Sequence, residues 1–400
     1  MLTDTSVNLL PYIKNSLDPI YDVKPTVFSP GSTKMLSLLF NRIAYAYEKW
    51  KQVCNTITIT NISNIDFDTS YYPDEIKKSL QDNIHHYYNC RFTINDRNIG
   101  VHIGTPLYYS KHKLKSIVRR IYMWLIIASF FADDNCSQSL NIFLSLTPDK
   151  KQLPEIDSDD LDRVHVNTAY TFACKQNNVI HIFREEEWFK VFIHETFHSF
   201  GLDFAEFNHN STNKQILSIF NVLADVRIFE TYCEMWAEIC NDMFIIFFST
   251  KWNPDQQNWI DQCIKKLSIM IHNEQLFSMF QSSKILSHFH MKYTDLFSNT
   301  HDNSPNPSYK DKTHVLSYYI IKSIFMYNID YYIRECININ GFTINFNKEP
   351  SKLKGNMQKY CNIVKKLHND SSFIENMNRT IDNVPDSIQT SLRMSAYEMK

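Results

Sequence analysis

The sequence predicts an α+β protein with a small mixed sheet, a helix carrying the pattern HExxH, and a predominantly helical C-terminal half. Three observations predict it. Short runs rich in β-branched and aromatic residues cluster between residues 91 and 183, as half-buried strands require. The pentapeptide HETFH, His194 to His198, follows them inside an apolar-periodic segment. From residue 225 onward the apolar spacing is mainly that of helices.

Residues 1 to 90 read as an N-terminal helical layer, with a Ser29-Pro30-Gly31-Ser32 turn leading into a periodic stretch from Met35 to Val53. RFTI and IGVHI flank Asn95-Asp96-Arg97-Asn98, which predicts a β-hairpin. A helix over 113–131 comes next, then strands at 140–146, 165–172 and 178–183. The HETFH helix is expected over 185–200. Glu185, Glu186 and Glu187 favour its first turn through the helix dipole, and Gly201 stands where a left-handed glycine ends a helix. Asp225 to Phe248 form a further helix, and more helices run from 254 to 340, broken by a loop at 299–312. GFTINF, starting at Gly341, reads as a late strand, and residues beyond 350 as a helical tail. The expected organisation is a helical layer (1–90), a catalytic-type domain (91–345) and a tail (346–400).

The chain has 400 residues, 44% of them hydrophobic, with 28 Phe and 22 Tyr, enough to bury a substantial core. Its 41 basic and 43 acidic residues leave no overall charge to attract nucleic acid or an anionic membrane, so neither is expected as a partner. Nine cysteines, an odd number without a CxxC pair, read as reduced thiols of a cytoplasmic protein. The N-terminal residues lack a secretory signal pattern. The apolar run at 121–132 is shorter than the roughly 20 residues needed to span a bilayer.

On a helix His194 and His198 project from one face and can share a zinc ion. Glu195 beside them can take a proton from a metal-activated water. A third ligand is required, and Phe204 occupies the place where HExxHxxGxxH would supply a third histidine. Asp203, one residue earlier, is suited to orienting a ligand or capping a turn. Downstream, Glu230, Glu234 and Glu238 recur every four residues on one helix face amid apolar neighbours, where a carboxylate needs a buried partner. The segment THVLSYYIIKS offers His314, Tyr318 and Tyr319 as donors to a developing oxyanion; His314 and Tyr318 are the candidates chosen.

HETFH followed by a helix with ExWAE resembles the gluzincin metallopeptidases. EEWFKVFIHETFHSFGLDF with ETYCEMWAE is similar, more narrowly, to the uncharacterised HExxH metallopeptidases of large nucleocytoplasmic DNA viruses. The resemblance covers about residues 140 to 330. It implies a zincin-like fold, Zn2+ held by His194, His198 and Glu234 with Glu230 the alternative, Glu195 as general base, and a protein or peptide substrate. Glu238 falls where the family often has an acidic partner for a ligating histidine. A viral origin would place the protein in host cytoplasm or the virion. The HVNTAYTF segment reads equally as an edge strand open to an extended substrate and as an ordinary core strand. A different class of function, a virion structural or host-interaction protein retaining a metallopeptidase fold, and zinc-dependent hydrolysis of something other than a peptide are the alternatives.

Overall fold

A computed structural model of the chain describes residues 1–156, 159–250, 252, 258–297, 305–381 and 384–400. Its helices are α1 (Asp4–Tyr12), α2 (Pro30–Val53), α3 (Asp74–Asn83), α4 (Lys111–Ser129), α5 (Arg163–Val166), α6 (Trp188–Ser199), α7 (Asn210–Leu217), α8 (Ile228–Ser249), α9 (Trp259–His288), α10 (Lys322–Tyr327), α11 (Ile329–Asn340), α12 (Leu353–Leu367), α13 (Ser371–Met377) and α14 (Asp386–Gln389). The strands are β1 (Thr60–Ile62), β2 (His86–Ile94), β3 (Arg97–Thr105), β4 (Ser139–Ser145), β5 (Ala169–Thr171) and β6 (Asn177–Ile182). Mixed α and β structure is therefore present as expected, and helix predominates. Two compact units divide the chain: a sheet unit of Ser37–Lys151 and Asn167–Glu206, and a helical unit of Met1–Leu36, Gln152–Val166 and Phe207–Lys400.

In the sheet unit the strand order is β1-β2-β3-β4-β6-β5. Asn95 and Asp96 turn the β2–β3 hairpin with φ of 44° and 64°, the left-handed pair that a two-residue turn matched to strand twist requires. Helix α4 then carries the chain across to β4, parallel to β3, and β6 lies parallel to β4. Strand β5 pairs antiparallel with β6 at the sheet's edge. It is shorter than the expected 165–172, because residues 163–166 close a helical turn first.

Alternation within the strands sorts the two faces. Val101, Ile103, Leu140, Ile142, Leu144, Ile180 and Ile182 are buried on one. On the other, one register row stacks rings across four strands: His102 on Phe143 at 4.7 Å, Phe143 on His181 at 4.5 Å, and His181 on Tyr170 at 4.7 Å. Tyr72 hydroxyl lies 3.2 Å from His181 Nδ1.

The three glutamates before α6 differ from expectation. They precede the helix instead of forming its first turn, because each already has a partner. Glu185 accepts from the Tyr109 hydroxyl at 2.7 Å, Glu186 from the Lys151 backbone N–H at 2.9 Å, and Glu187 pairs with the fully buried Lys151 ammonium. Glu187 adopts φ of 57° at the helix start.

The helical unit is built on α8, buried from Ile228 to Phe247, and on α9. A carboxylate at 0% exposure needs a counter-charge, and Glu238 has Lys322 Nζ at 2.5 Å. GFTINF, expected as a strand, is irregular. Gly341 turns with φ of 78°, and the Ile344 carbonyl accepts from the Tyr232 hydroxyl at 2.7 Å. Helices α12 to α14 make the stretch beyond residue 350 helical, as expected, within the helical unit. The loop expected at 299–312 lies outside the described residues as far as 304. Among the described residues no helix is long and apolar enough to cross a membrane.

Burial lowers the pKa of His181 from 6.5 to about 4, with Asp68 opposing and His102 reinforcing the shift. The unfolded chain therefore binds a proton that the folded one refuses, and stability must rise with pH across that window. Urea unfolding should show stability falling as pH drops from about 6.5 toward 4, by roughly 3 kcal/mol at most from this residue. His181→Phe should flatten that slope; an unchanged slope would contradict the assignment.

Candidate metal centre

Helix α6 follows β6 in the sheet unit, and its contacts explain why every one of its residues is buried. It packs on β6 and α4: Phe197 stacks on Trp124 with centroids 6.1 Å apart, and the Arg120 guanidinium sits 4.6 Å over the Trp188 ring. His194, Glu195 and His198 are 6%, 8% and 8% exposed, a small opening for three polar groups on a helix so apolar.

Spacing of four residues brings the two imidazoles together as predicted. Their Nε2 atoms are 3.3 Å apart. Two ligands at about 2.0 to 2.1 Å from a tetrahedral zinc lie roughly 3.3 to 3.4 Å from each other, so the pair has the separation that one ion requires.

Helix α6 stops where the sequence places its stop. Gly201, with φ of 61°, lets its N–H reach the His198 carbonyl at 3.1 Å, and the Leu202 N–H reaches the Phe197 carbonyl at 2.7 Å. This double closure is the Schellman arrangement, which a left-handed residue at that position makes accessible. The reversal returns the chain over the last turn. As a result the Asp203 carboxylate meets His198 Nδ1 at 2.6 Å, both groups buried. A carboxylate accepting from Nδ1–H leaves the Nε2 lone pair directed at a metal and raises the ring's basicity. Asp203 thus stands against the Nδ1 side of His198, and Phe204, in the metzincin position, is buried.

In the helical unit, α8 carries Glu230, Glu234 and Glu238, all buried. Glu238, expected to receive an N–H from a ligating imidazole, has its counter-charge in Lys322; the imidazole acceptor in the sheet unit is Asp203. His314 and Tyr318 are half-buried and adjacent, with ring centroids 6.3 Å apart. His314, at φ of 63°, donates Nδ1–H to the Asp225 carbonyl at 2.8 Å. That leaves Nε2 as its reactive nitrogen. Tyr319 is buried and donates to the Leu392 carbonyl at 2.6 Å.

One feature had no signal in the sequence. Cys136 and Cys174, expected as free thiols, are joined in a disulfide, their Cα atoms 4.5 Å apart. They are 38 positions apart in the chain, and only the fold brings their loops together. The other seven cysteines form no disulfide. Comparison of the chain with models of protein families, with curated proteins and with solved structures finds no match in any of the three. The chemistry here therefore stands on the residues alone.

Asp203→Asn should keep the fold and weaken zinc binding by about 10- to 100-fold, the usual effect of losing an acceptor behind a ligating imidazole. Competition against a chromophoric chelator measures it, and equal affinity in the two proteins would remove Asp203 from this role.

Proposed function

We propose that this chain is a zinc-dependent metallopeptidase of the gluzincin type, with a zincin-like fold. The observation that carries the reading is the pair of HExxH imidazoles with Nε2 atoms 3.3 Å apart and an aspartate behind one of them. A helix carrying two unrelated core histidines has no need of this arrangement.

His194 and His198 supply two ligands and a carboxylate of α8 the third. The pattern ExWAE favours Glu234. Glu230, one turn earlier on the same buried face, is the alternative. When bound, zinc lowers the pKa of a coordinated water and polarises a carbonyl. Glu195 accepts the proton of that water and passes it to the leaving amine. The Tyr318 hydroxyl donates to the oxyanion, with His314 Nε2 the alternative donor when the ring is the doubly protonated imidazolium. A peptide substrate fits the topology. Among the described residues strand β5 pairs only with β6, and its outer edge offers backbone groups to an extended chain. If the likeness to viral enzymes reflects descent, the site of action is host cytoplasm or the virion.

Glu195→Gln should retain zinc and lose at least about 10²- to 10⁴-fold in cleavage of an unstructured test protein. His198→Ala should lose metal and activity together, and Glu234→Gln should shed more zinc than Glu230→Gln. Zinc stoichiometry and cleavage measured on the same preparations decide it. Undiminished cleavage by Glu195→Gln would sink the peptidase reading. A parent protein without metal would favour a structural or host-interaction role.

A further inference from the structure

The last carbonyls of a helix have no partner within it, and what they receive from outside fixes how firmly the final turn is held. In α6 that turn carries His198. Its carbonyl takes the Gly201 N–H and also the N–H of Cys174, at 3.0 Å. The next carbonyl, of Ser199, takes the Ser137 hydroxyl at 2.6 Å and the Asn178 side-chain amide at 3.5 Å. Two separate loops of the sheet unit therefore grip the end of the HExxH helix.

Both loop residues adopt backbone conformations that side-chain-bearing residues seldom take. Cys174 has φ of 40° and Ser137 of 51°, and such residues hold these angles only where their surroundings over-determine them. Here the surroundings are covalent. The Cys136–Cys174 disulfide joins the residue before Ser137 to Cys174 itself, and the Ser137 N–H donates to the Lys175 carbonyl at 2.8 Å across the same junction. Arg97 ties the Cys136 side down. Its Nε donates to the Cys136 carbonyl at 3.3 Å, while its guanidinium lies 5.4 Å from the centroid of Phe200, the residue that follows α6.

We propose that Cys174 and Ser137 are positioning residues of the metal centre, and that the Cys136–Cys174 disulfide is a clasp that holds both of their hydrogen bonds on the last turn of α6. They act through His198, so the inference rests on the metal-binding reading above. The clasp makes the centre sensitive to thiol reductants. On reduction two thiols of the reductant join as a disulfide, the Cys136–Cys174 bond breaks, and each cysteine sulfur takes up one hydrogen. The loops then separate, the Cys174 N–H and the Ser137 hydroxyl leave the turn, and the His198 ring is held less firmly.

The experiment uses the full chain loaded with cobalt(II), whose visible spectrum reports ligand geometry, in the parent, in Cys136→Ser/Cys174→Ser and in Ser137→Ala, which keeps the disulfide. Metal affinity is measured by chelator competition and the fold by far-ultraviolet circular dichroism. Both variants should remain folded, show a displaced cobalt spectrum and bind the metal about 10- to 100-fold more weakly, the scale for groups that orient a ligand from behind. A role confined to stability would leave the cobalt spectrum of the folded protein unchanged. If both variants match the parent in spectrum and affinity, the clasp is overturned while the metal centre stands. If the double variant fails to fold, Ser137→Ala decides the matter alone. A parent that takes up no cobalt overturns the metal reading itself, and with it the clasp, a result distinct from parent-like variants.

Discussion

The chain reversal after α6 is the constraint on which the centre depends. A helix that ran straight on past Ser199 would carry Asp203 away from His198, and one imidazole would turn freely with either nitrogen outward. Because Gly201 enters the left-handed region at little conformational cost, two backbone hydrogen bonds close the helix and Asp203 returns to Nδ1. One glycine thereby sets the tautomer and direction of an imidazole three residues before it.

The other end of α6 is fixed by charge. Lys151 is buried, and an ammonium there is tolerable only with a carboxylate against it, which Glu187 supplies from the helix start. Glu186 and Glu185 take a backbone N–H and a tyrosine hydroxyl from the same unit. The helix is thus pinned at its entrance by an ion pair and at its exit by a Schellman turn and two loops. Between these ends it packs against α4 and β6. Side chains carried on a segment held in this way keep their geometry, which is what metal coordination by two imidazoles demands.

Buried carboxylates in α8 show how one spacing serves different ends. Glu230, Glu234 and Glu238 share a face of a helix whose other residues are nearly all apolar, so none can rely on water. Glu238 meets its requirement with Lys322, whose Nζ also donates to the Met394 carbonyl at 2.6 Å. The periodicity that makes all three look equivalent in the sequence says nothing of which lysine a later helix will bring to which carboxylate.

Local chemistry accounts for what was legible beforehand. The Asn95-Asp96 turn, the strands around Leu140 and Val179, the stop at Gly201 and the two histidines on one face all follow from backbone preferences and spacing within a few residues, where tertiary context has little to override. The short β5 and the irregular GFTINF segment departed from their β-rich composition, because strand formation needs a neighbour of the right register and propensity supplies none. The glutamates at 185 to 187 were drawn off the helix by partners distant in sequence. Above all, the sequence by itself determined the HETFH pair and the glycine that ends its helix. Only the tertiary structure decided that Asp203 would close on His198, that Lys322 would take Glu238, and that Cys136 and Cys174 would meet. Each of these is a contact between buried groups whose energy depends on removal from water and on distance, and a linear spacing encodes neither.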